Sequence, residues 1–312
     1  MRPTLRQLEY IVAVAERGRV GTAAAHLNVS QPSLSAQLSE VEADLGVKLF
    51  RRGRSGAKIT PEGEDIVRRA RLILRDHEDL RASAKGRGIF EGRLRLGVLP
   101  SIGPYLLPEV ARQLHESHPR FRLVIREEST RDLDEGLRNG RLDMIISTPE
   151  DHPGTRQDTL FEEHFWVATA LDHPLAKTGG KVTLAGLKDQ LFLTLGTRHR
   201  LSNIVAALAS RAGGRVSDEY EGTSLDAIRL MAATGTGIAV LPHIYATTEA
   251  RRGTDVSLHY LDAPDAKRKI ALIQPLFPES RPGSDVLSNV LLSVAKTLME
   301  TQPGRNRADR RY

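Results

Sequence analysis

The fold of the N-terminal region is decided by one stretch, Ala23-Ala24-Ala25-His26-Leu27-Asn28-Val29-Ser30-Gln31-Pro32-Ser33-Leu34-Ser35. The alanines and Leu27 give the first helix an apolar face that permits close packing. Asn28 tolerates the left-handed conformation that ends a helix. Ser30 is a preferred N-cap, and Pro32 fits the first turn of the helix that follows. The stretch therefore predicts two helices joined by a tight turn, the geometry with which a helix enters a DNA major groove.

The second helix of this pair is expected to run to about Leu45, with an apolar stripe on one face and short polar side chains on the other. Two short strands follow, joined by a basic, glycine-containing tip. They are expected to form a wing that would lie along the phosphate backbone. The alternative is a solvated hairpin beside an ordinary three-helix core, and a basic wing at this distance argues against it. The residues expected to contact DNA are Arg19, Ser30, Gln31, Pro32, Ser33, Ser35, Gln37, Arg51, Arg52, Arg54 and Lys58.

Residues 5–65 resemble the N-terminal module of LysR-type transcriptional regulators. The matching residues are Leu5-Arg6-Gln7-Leu8, Ala23-Ala24, Val29-Ser30-Gln31-Pro32-Ser33-Leu34-Ser35, Leu38 with Glu42, Leu45-Gly46-Val47-Lys48-Leu49-Phe50-Arg51-Arg52 and Thr60-Pro61-Glu62-Gly63. The family often has Ser, an aromatic residue and Thr before the first alanine, where this chain has Arg19, Val20 and Gly21. We therefore expect a less well capped helix start there, and an added phosphate contact from Arg19.

Composition and charge exclude several classes of protein. A chain of 312 residues, 40% of them hydrophobic, is long enough for two or more folded domains. It has no run of about 18 apolar residues and no signal-peptide pattern, so we expect a cytoplasmic protein without a membrane span. With no cysteine, it can form neither a disulfide nor a thiol switch. Residues 1–90 hold 16 Lys and Arg against 11 Asp and Glu, so the basic excess coincides with the DNA-binding motif.

A long helix is predicted from Glu62 to Lys85, and a glycine-containing joint follows it. Its apolar seam favours pairing with a second copy, the alternative being packing on its own domain. The seam consists of Ile66, Ala70, Ile73, His77, Leu80 and Ala84. From Arg93 onward, strands at 93–99, 122–126 and 142–147 alternate with helices at 103–117 and 131–139, which is a βαβαβ unit. Further strands are predicted near 165–170, 191–194, 216–221, 238–241, 257–261 and 269–274, with helices at 202–212, 225–234 and 284–301.

The predicted fold class therefore has two parts. The first is an N-terminal all-α winged helix-turn-helix DNA-binding domain at 1–60, followed by a linker (dimerisation) helix and hinge at 61–90. The second is a C-terminal α/β effector-binding domain at 91–312. The family resemblance implies that this domain has the two-lobed fold of periplasmic binding proteins, with lobe one at about 93–164 and 268–301 and lobe two at about 165–267.

Loops at the carboxyl ends of parallel strands are where a small molecule is expected to bind. Three such loops, and two segments facing them, carry hydroxyls, amides and positive charge suited to a carboxylate or another small anion. The expected ligand-binding residues are Ser101, Ile102, Ser129, Thr130, Ser147, Thr148, His199, Arg200, Thr223 and Ser224. The alternative for each serine and threonine is an ordinary helix cap. Glu127-Glu128 and Glu162-Glu163 would face opposite ways on a strand, and we expect no carboxylate dyad from either.

Within the family, the chain is most similar to the peroxide-sensing branch. The residues that carry this similarity are 99–108, Gly140-Arg141-Leu142-Asp143, Thr223-Ser224-Leu225 and Gly235-Thr236-Gly237-Ile238 with Leu241-Pro242. In that branch a peroxide-reactive cysteine follows a histidine, whereas here Arg200 follows His199. The missing thiolate rules out disulfide-based peroxide sensing. Arg200 becomes a hypothetical anchor for an anion.

The sequence thus predicts a LysR-type, sequence-specific transcriptional regulator, controlled by a small-molecule effector between the lobes and not by cysteine oxidation. Its expected partners are double-stranded DNA with a pseudo-palindromic site, an anionic effector, and further copies of itself in a dimer or tetramer. RNA polymerase is a further candidate partner. No catalytic residue, metal site or cofactor is expected. The alternatives are a ligand-independent architectural DNA-binding protein and, less favoured, a small-molecule-binding protein or enzyme with a basic appendage.

Overall fold

A computed structural model of the chain describes residues 3–53, 56–84, 93–177, 180–276 and 283–301. The described helices are α1 (Leu5–Arg17), α2 (Val20–His26), α3 (Gln31–Leu45), α4 (Pro61–Ala84), α5 (Gly103–Ser117), α6 (Thr130–Arg138), α7 (Arg200–Ala212), α8 (Leu225–Ala233), α9 (His243–Tyr245) and α10 (Ser284–Thr301). The described strands are β1 (Phe50–Gly53), β2 (Gly56–Ile59), β3 (Arg93–Val98), β4 (Arg122–Glu127), β5 (Met144–Ser147), β6 (Thr155–Thr169), β7 (Lys181–Val182), β8 (Leu191–Leu193), β9 (Arg215–Val216), β10 (Ile238–Pro242), β11 (Ser257–Leu261) and β12 (Lys267–Pro275). None of the helices so described is long and apolar enough to cross a membrane.

The chain divides into two compact units, which are described in turn. The first comprises Met1–Gly92 and Glu135–Leu142, and the second comprises Arg93–Asp134 and Asp143–Tyr312. The predicted glycine-containing joint at 86–92 lies outside the described residues.

The first unit is built on three short helices around one apolar core. In α1, the Thr4 hydroxyl accepts a hydrogen bond from the Gln7 amide, and the Gln7 side chain accepts one from the Thr4 amide. This reciprocal cap satisfies two amides that the helix itself leaves without partners. Side chains from all three helices and from the residue before β1 are fully buried in the core: Ile11, Val14, Ala23, Leu34, Leu38 and Leu49.

The turn between α2 and α3 has the conformation that the sequence predicts. Asn28 has a φ of 54°, in the left-handed region. The Ser30 hydroxyl accepts a hydrogen bond from the Ser33 amide and so caps α3, and Pro32 lies in the first turn. Gly46 ends α3 with a φ of 68°. With β1 and β2 paired in antiparallel fashion beyond it, this unit confirms the predicted winged helix-turn-helix.

The long helix α4 leaves part of its predicted seam uncovered. Ala70 is buried against the three-helix core, whereas the side chains of Ile73 and Leu80 are 48% and 66% exposed. Exposed aliphatic side chains repeating along one helix are typical of a surface that a partner covers.

The second unit is a two-lobed α/β domain on a sheet of ten described strands. The strand order is β4-β3-β5-β12-β6-β10-β8-β9, with β11 pairing with both β6 and β7. β3 pairs in parallel with β4 and β5 in lobe one, and β10 with β8 in lobe two. The antiparallel strands β6 and β12 pair along much of their length and connect the two lobes.

Two strand predictions in this domain are wrong. β6 begins at Thr155, ten residues before the predicted start at 165. The sequence of its first half is rich in charged residues and is typical of a loop, but β12 pairs with it along its length, with one register shift between Ile270 and Ala271. The strand predicted at 216–221 is reduced to Arg215–Val216, because the chain then leaves the sheet for a loop ordered by the Tyr220 hydroxyl, which accepts a hydrogen bond from the Ser224 amide.

Candidate functional site

A candidate nucleic-acid interface lies on the solvent side of α3 and the wing. Gln31, Pro32 and Ser33 are exposed at the start of α3, whereas Ser35 and Gln37 are half-buried. The side chain of Gln37 is engaged within the unit, because its amide group donates to Glu40 and its oxygen accepts from Gln7. The exposed first turn of α3 therefore offers the free polar side chains.

The wing carries cations beside this turn. Arg52 donates a hydrogen bond of 2.7 Å to the Ser35 hydroxyl, which places a guanidinium next to α3. Arg19, Arg51 and Lys58 are exposed, and among the described residues none of the three has a carboxylate partner. Arg54 lies outside the described residues. Unpaired cations next to an exposed helix start are suited to DNA phosphates.

The wing is fixed to α3 by a buried carboxylate. Glu42 accepts hydrogen bonds from the backbone amides of Leu49 (3.0 Å) and Phe50 (3.2 Å) and from the Lys48 ammonium (2.9 Å). Burial alone would raise the pKa of Glu42, but these hydrogen bonds outweigh it and lower the pKa. Glu42 thus sets where the basic wing begins.

Replacing Glu42 by alanine is expected to lower the free energy of unfolding of this unit by about 2–4 kcal/mol, because two buried amides lose their charged acceptor. Glutamine keeps one acceptor oxygen and should cost about half as much. Since the folded-state pKa of Glu42 is lowered, its contribution is present above the unfolded-state pKa and is lost as the pH falls through the folded-state value. Urea unfolding at two pH values measures this, and an alanine penalty that does not shrink in acid would contradict it.

The candidate effector site is a cleft of about 490 Å³ between the two lobes, here called the inter-lobe cleft. Lobe one contributes the ends of β3 and β4 and the start of α6, and lobe two contributes the loops before α7 and α8. The lining residues are Pro100, Glu127, Glu128, Ser129, Asp132, Gly196, Thr197, Arg198, His199, Glu221 and Thr223. The predicted loops do meet at one place, at the carboxyl ends of the strands.

Three of the ten predicted ligand residues line this cleft: Ser129, His199 and Thr223. Each of the remaining seven has a structural role or lies to the side. Ile102 is fully buried, and the Ser101 hydroxyl accepts from Arg268. Ser224 caps α8, which is the alternative role expected for a serine at such a position. The others are Thr130, Ser147, Thr148 and Arg200. The Thr130 hydroxyl accepts a hydrogen bond from the Arg200 amide, and the Ser147 hydroxyl is hydrogen-bonded to His152. Thr148 is buried.

Arg200, the hypothetical anion anchor, is already paired across the lobes. Its guanidinium contacts the Asp151 carboxylate at 3.0 Å, and its amide donates to the Thr130 hydroxyl at 3.1 Å. Burial raises the pKa of Asp151, and the Arg200 charge offsets only part of that rise. Arg200 therefore works as a contact between the lobes, and its charge is not available to an anion in this conformation.

Replacing Arg200 by alanine is expected to lower the free energy of unfolding by about 1–2 kcal/mol near pH 7, because Asp151 stays partly buried without its cation. The loss should be smaller at an acidic pH, because a carboxyl with a raised pKa takes up a proton more readily and becomes neutral. Urea unfolding followed by the fluorescence of Trp166, the only tryptophan, measures both values. The matched variant Arg200→Ala/Asp151→Asn should lose the pH dependence, and an equal loss at both pH values would contradict the account.

The charge of the cleft is opposite to the sequence-based expectation. Four carboxylates line it against one guanidinium, and that guanidinium, on Arg198, is bound to Asp132. Glu127 and Glu128 both line the cleft, although neighbours on a strand face opposite ways, because β4 ends at Glu127. The prediction of an anionic effector is therefore not supported by this lining, whose net charge repels anions.

Sequence reasoning missed these acidic residues because it searched for pairs that form a catalytic dyad. It also missed Arg198 and Glu221, which lie in loops without a motif. Two close contacts position the backbone at Glu221 and Gly222: the Gly196 amide donates to the Gly222 carbonyl, and a Cβ at Gly196 would lie 2.7 Å from the Glu221 carbonyl oxygen. Among the residues that the structure describes, no group of three His, Asp or Glu side chains converges as metal ligands.

Comparison with known proteins places both units in one family. The family model "Bacterial regulatory helix-turn-helix protein, lysR family" matches residues 5–64, and "LysR substrate binding domain" matches residues 87–291. The chain is 33% identical over 286 residues to the DNA-binding transcriptional dual regulator OxyR of Escherichia coli, covering 91% of both chains. It resembles a full-length OxyR variant from Pseudomonas aeruginosa (31% identity, 95% of both chains, TM-score 0.73). It also resembles full-length CbnR complexed with its target DNA (26% identity, 95% of this chain and 99% of that one, TM-score 0.62).

Proposed function

We propose a separate role for each of the two units of this chain, which belongs to the LysR family of DNA-binding transcriptional regulators. The winged helix-turn-helix binds a promoter site, and the effector-binding domain changes that binding when a small molecule occupies the inter-lobe cleft. The observation that carries the first part is an exposed α3 start flanked by wing cations, Arg51 and Lys58, that have no carboxylate partner among the described residues. As a DNA-binding regulator, the protein acts in the cytoplasm.

Base reading falls to the first turn of α3, with Gln31 and Ser33 at the base edges. Arg19, Arg51, Arg52 and Lys58 bind phosphates and set the register of the helix in the groove. Ser35 and Gln37 were also expected to contact DNA, but we assign them a supporting role. Ser35 accepts a hydrogen bond from Arg52, and Gln37 accepts one from Gln7. Arg54 remains a proposed phosphate contact at the wing tip.

Two copies act together on one site. The exposed Ile73 and Leu80 of α4 are proposed to pack against the same residues of a second copy. A pair related by two-fold symmetry binds two half-sites, so the DNA site is a pseudo-palindrome. The domain boundaries proposed for this arrangement are 1–60 for DNA binding, 61–90 for pairing and the hinge, and 91–312 for the effector.

Effector control does not use cysteine oxidation, because the sequence contains no cysteine. The resemblance to the peroxide-sensing branch of the family therefore does not extend to the signal that this chain detects. An open cleft of about 490 Å³ also disfavours the purely architectural alternative, for which a filled cleft would be expected. Occupancy of the cleft shifts the population of lobe arrangements, and the change reaches the paired DNA modules.

Selection from a random pool of DNA duplexes tests this proposal. The full chain should enrich an inverted repeat whose half-sites are separated by about one helical turn, or a multiple of it. Enrichment of no common sequence, or only of sequences of one general composition, would contradict a sequence-specific regulator. A variant with Gln31→Ala serves as the matched control, because it should bind DNA while enriching a less defined repeat.

A further inference from the structure

The lining of the inter-lobe cleft is acidic on both of its walls. Lobe one contributes Glu127, Glu128 and Asp132, and lobe two contributes Glu221. The guanidinium of Arg198 is committed to Asp132. Glu128 has a partner of its own, whereas Glu127 on one wall and Glu221 on the other have no cationic partner among the described residues. Such a cavity attracts cations and repels anions.

One side chain in the cleft points to a ligand independently of this charge. His199 lines the cavity with only 6% of its surface exposed, and its ring has no hydrogen-bond partner among the described residues. Burial lowers the pKa of His199, and the Arg198 charge adds to the effect although Asp132 opposes it. The ring nitrogens of His199 are open to the cleft, so a bound ligand can form a hydrogen bond with them. The neutral ring adds no positive charge that would oppose a cation.

The glutamates are held in place and do not converge. A Cβ at Gly103 would lie 2.5 Å from a carboxylate oxygen of Glu127, so Glu127 rests against the start of α5. The backbone at Glu221 is held by the contacts of Gly196 described above. Because no three acidic or histidine side chains in the described part of the chain meet as metal ligands, a single metal ion does not fit this lining. An extended molecule with separated donor groups does.

We propose that the effector is an organic cation, a small molecule with ammonium or guanidinium groups that bind Glu127 on one wall and Glu221 on the other, with His199 as a hydrogen-bond partner. This inference rests on the proposed function, since it names the chemical class of the ligand for the same cleft. Without ligand, carboxylates on opposite walls repel each other and favour an open cleft. A cation between them removes the repulsion and favours closure, which gives it the differential affinity that a switch requires.

Matched probes of equal length test the charge directly. Cadaverine, glutarate and 1,5-pentanediol share a five-carbon chain but carry two positive, two negative and no charges, and agmatine and spermidine extend the cationic set. Each is titrated by calorimetry into the full chain without DNA, since polycations also bind DNA. At least one cation should bind at least about ten times more tightly than glutarate and the diol. Its affinity should fall as the salt concentration rises.

Variants locate the binding in the cleft. Glu221→Gln and Glu127→Gln should each raise the Kd of the cation by about tenfold or more. Glu219→Gln is the matched control, because Glu219 is an exposed carboxylate two residues from Glu221 that does not line the cleft, and it should leave the Kd within about twofold. His199→Ala should weaken the binding of agmatine while leaving the folded chain intact.

Three results would overturn the proposal. They are no cation binding up to about 10 mM, cation binding unchanged in both glutamine variants, or glutarate binding more tightly than every cation. Glutarate binding that disappears in Arg198→Ala would keep the cleft as the effector site and reject only the ligand class. Failure of the regulator itself would be seen separately, as the absence of any preferred DNA sequence in the selection experiment.

Discussion

Replacing Arg268 by alanine is expected to lower the free energy of unfolding of the effector-binding domain by about 3–5 kcal/mol. The Arg268 side chain is 2% exposed and contacts the fully buried Glu163 at 2.7 Å. Glu163 also accepts from the Ile244 amide, and Arg268 donates to the Ser101 hydroxyl. Removing the guanidinium would leave a carboxylate buried without its charge partner, which is among the costliest single changes in a protein interior. Urea unfolding followed by Trp166 fluorescence in lobe two measures the loss.

The matched control removes both charges. Arg268→Met/Glu163→Met replaces the pair with apolar side chains of similar length and should recover most of the lost stability. If Arg268→Ala cost less than about 1 kcal/mol, or if the double variant were no better than the single one, the pair would not connect β6 and β12 as described. Since these two strands join the lobes, the single variant should also lose any response to an effector.

The second large effect is expected at the wing. Replacing Arg51, Arg52 and Lys58 together by alanine should weaken DNA binding roughly 100-fold at about 0.15 M salt, because each phosphate contact releases about 0.9 counterion equivalents. The slope of log affinity against log salt should fall by about 2–3 for each copy bound, and therefore by about 5 for a duplex that binds two copies. Fluorescence anisotropy of a labelled duplex over a range of salt concentrations measures both quantities.

Arg69 provides the matched control for charge alone. It is exposed on α4 in the same unit and pairs with Asp65. Arg69→Ala should change the salt slope by less than about 0.5, since it makes no phosphate contact in the proposed complex. If the triple wing variant kept the slope of the unaltered chain, the wing would not lie on the DNA backbone.

The N-terminal fold could be predicted because its signals are local. Asn28, Ser30 and Gly46 each act on a turn or helix end within four residues, and each has the expected conformation. Local backbone preferences and helix caps agree there with the tertiary packing, which is the condition under which a sequence specifies its structure clearly.

The first half of β6 could not be predicted, because its partner lies more than 100 residues away. Glu162 and Glu163 look like loop residues until β12 supplies Lys267 and Arg268 opposite them. Their side chains do face opposite ways, as expected for neighbours on a strand, with Glu162 exposed enough to pair with Lys267 and Glu163 buried. Charge pairing between distant segments leaves no periodic signal in one sequence.

The predicted loops meet at one cleft, but the charge of that candidate site differs from the expectation. Strand-end loops gave its location, and Ser129, His199 and Thr223 line it. The positive charge assigned to Arg200 is neutralised by Asp151, a pairing that brings together two distant segments. Neighbours on a strand face opposite ways, but the strand ends between Glu127 and Glu128, and both line the cleft.

The most direct test of the central claim is the ratio of affinities for a selected inverted-repeat duplex and for a scrambled duplex of the same composition, measured with the full chain at about 0.15 M salt. A regulator that reads bases should prefer the selected duplex by about 10³-fold or more, and the preference should persist as rising salt weakens both complexes. A ratio near one, with both affinities falling along the same salt line, would show that only phosphates are bound and would contradict a sequence-specific regulator.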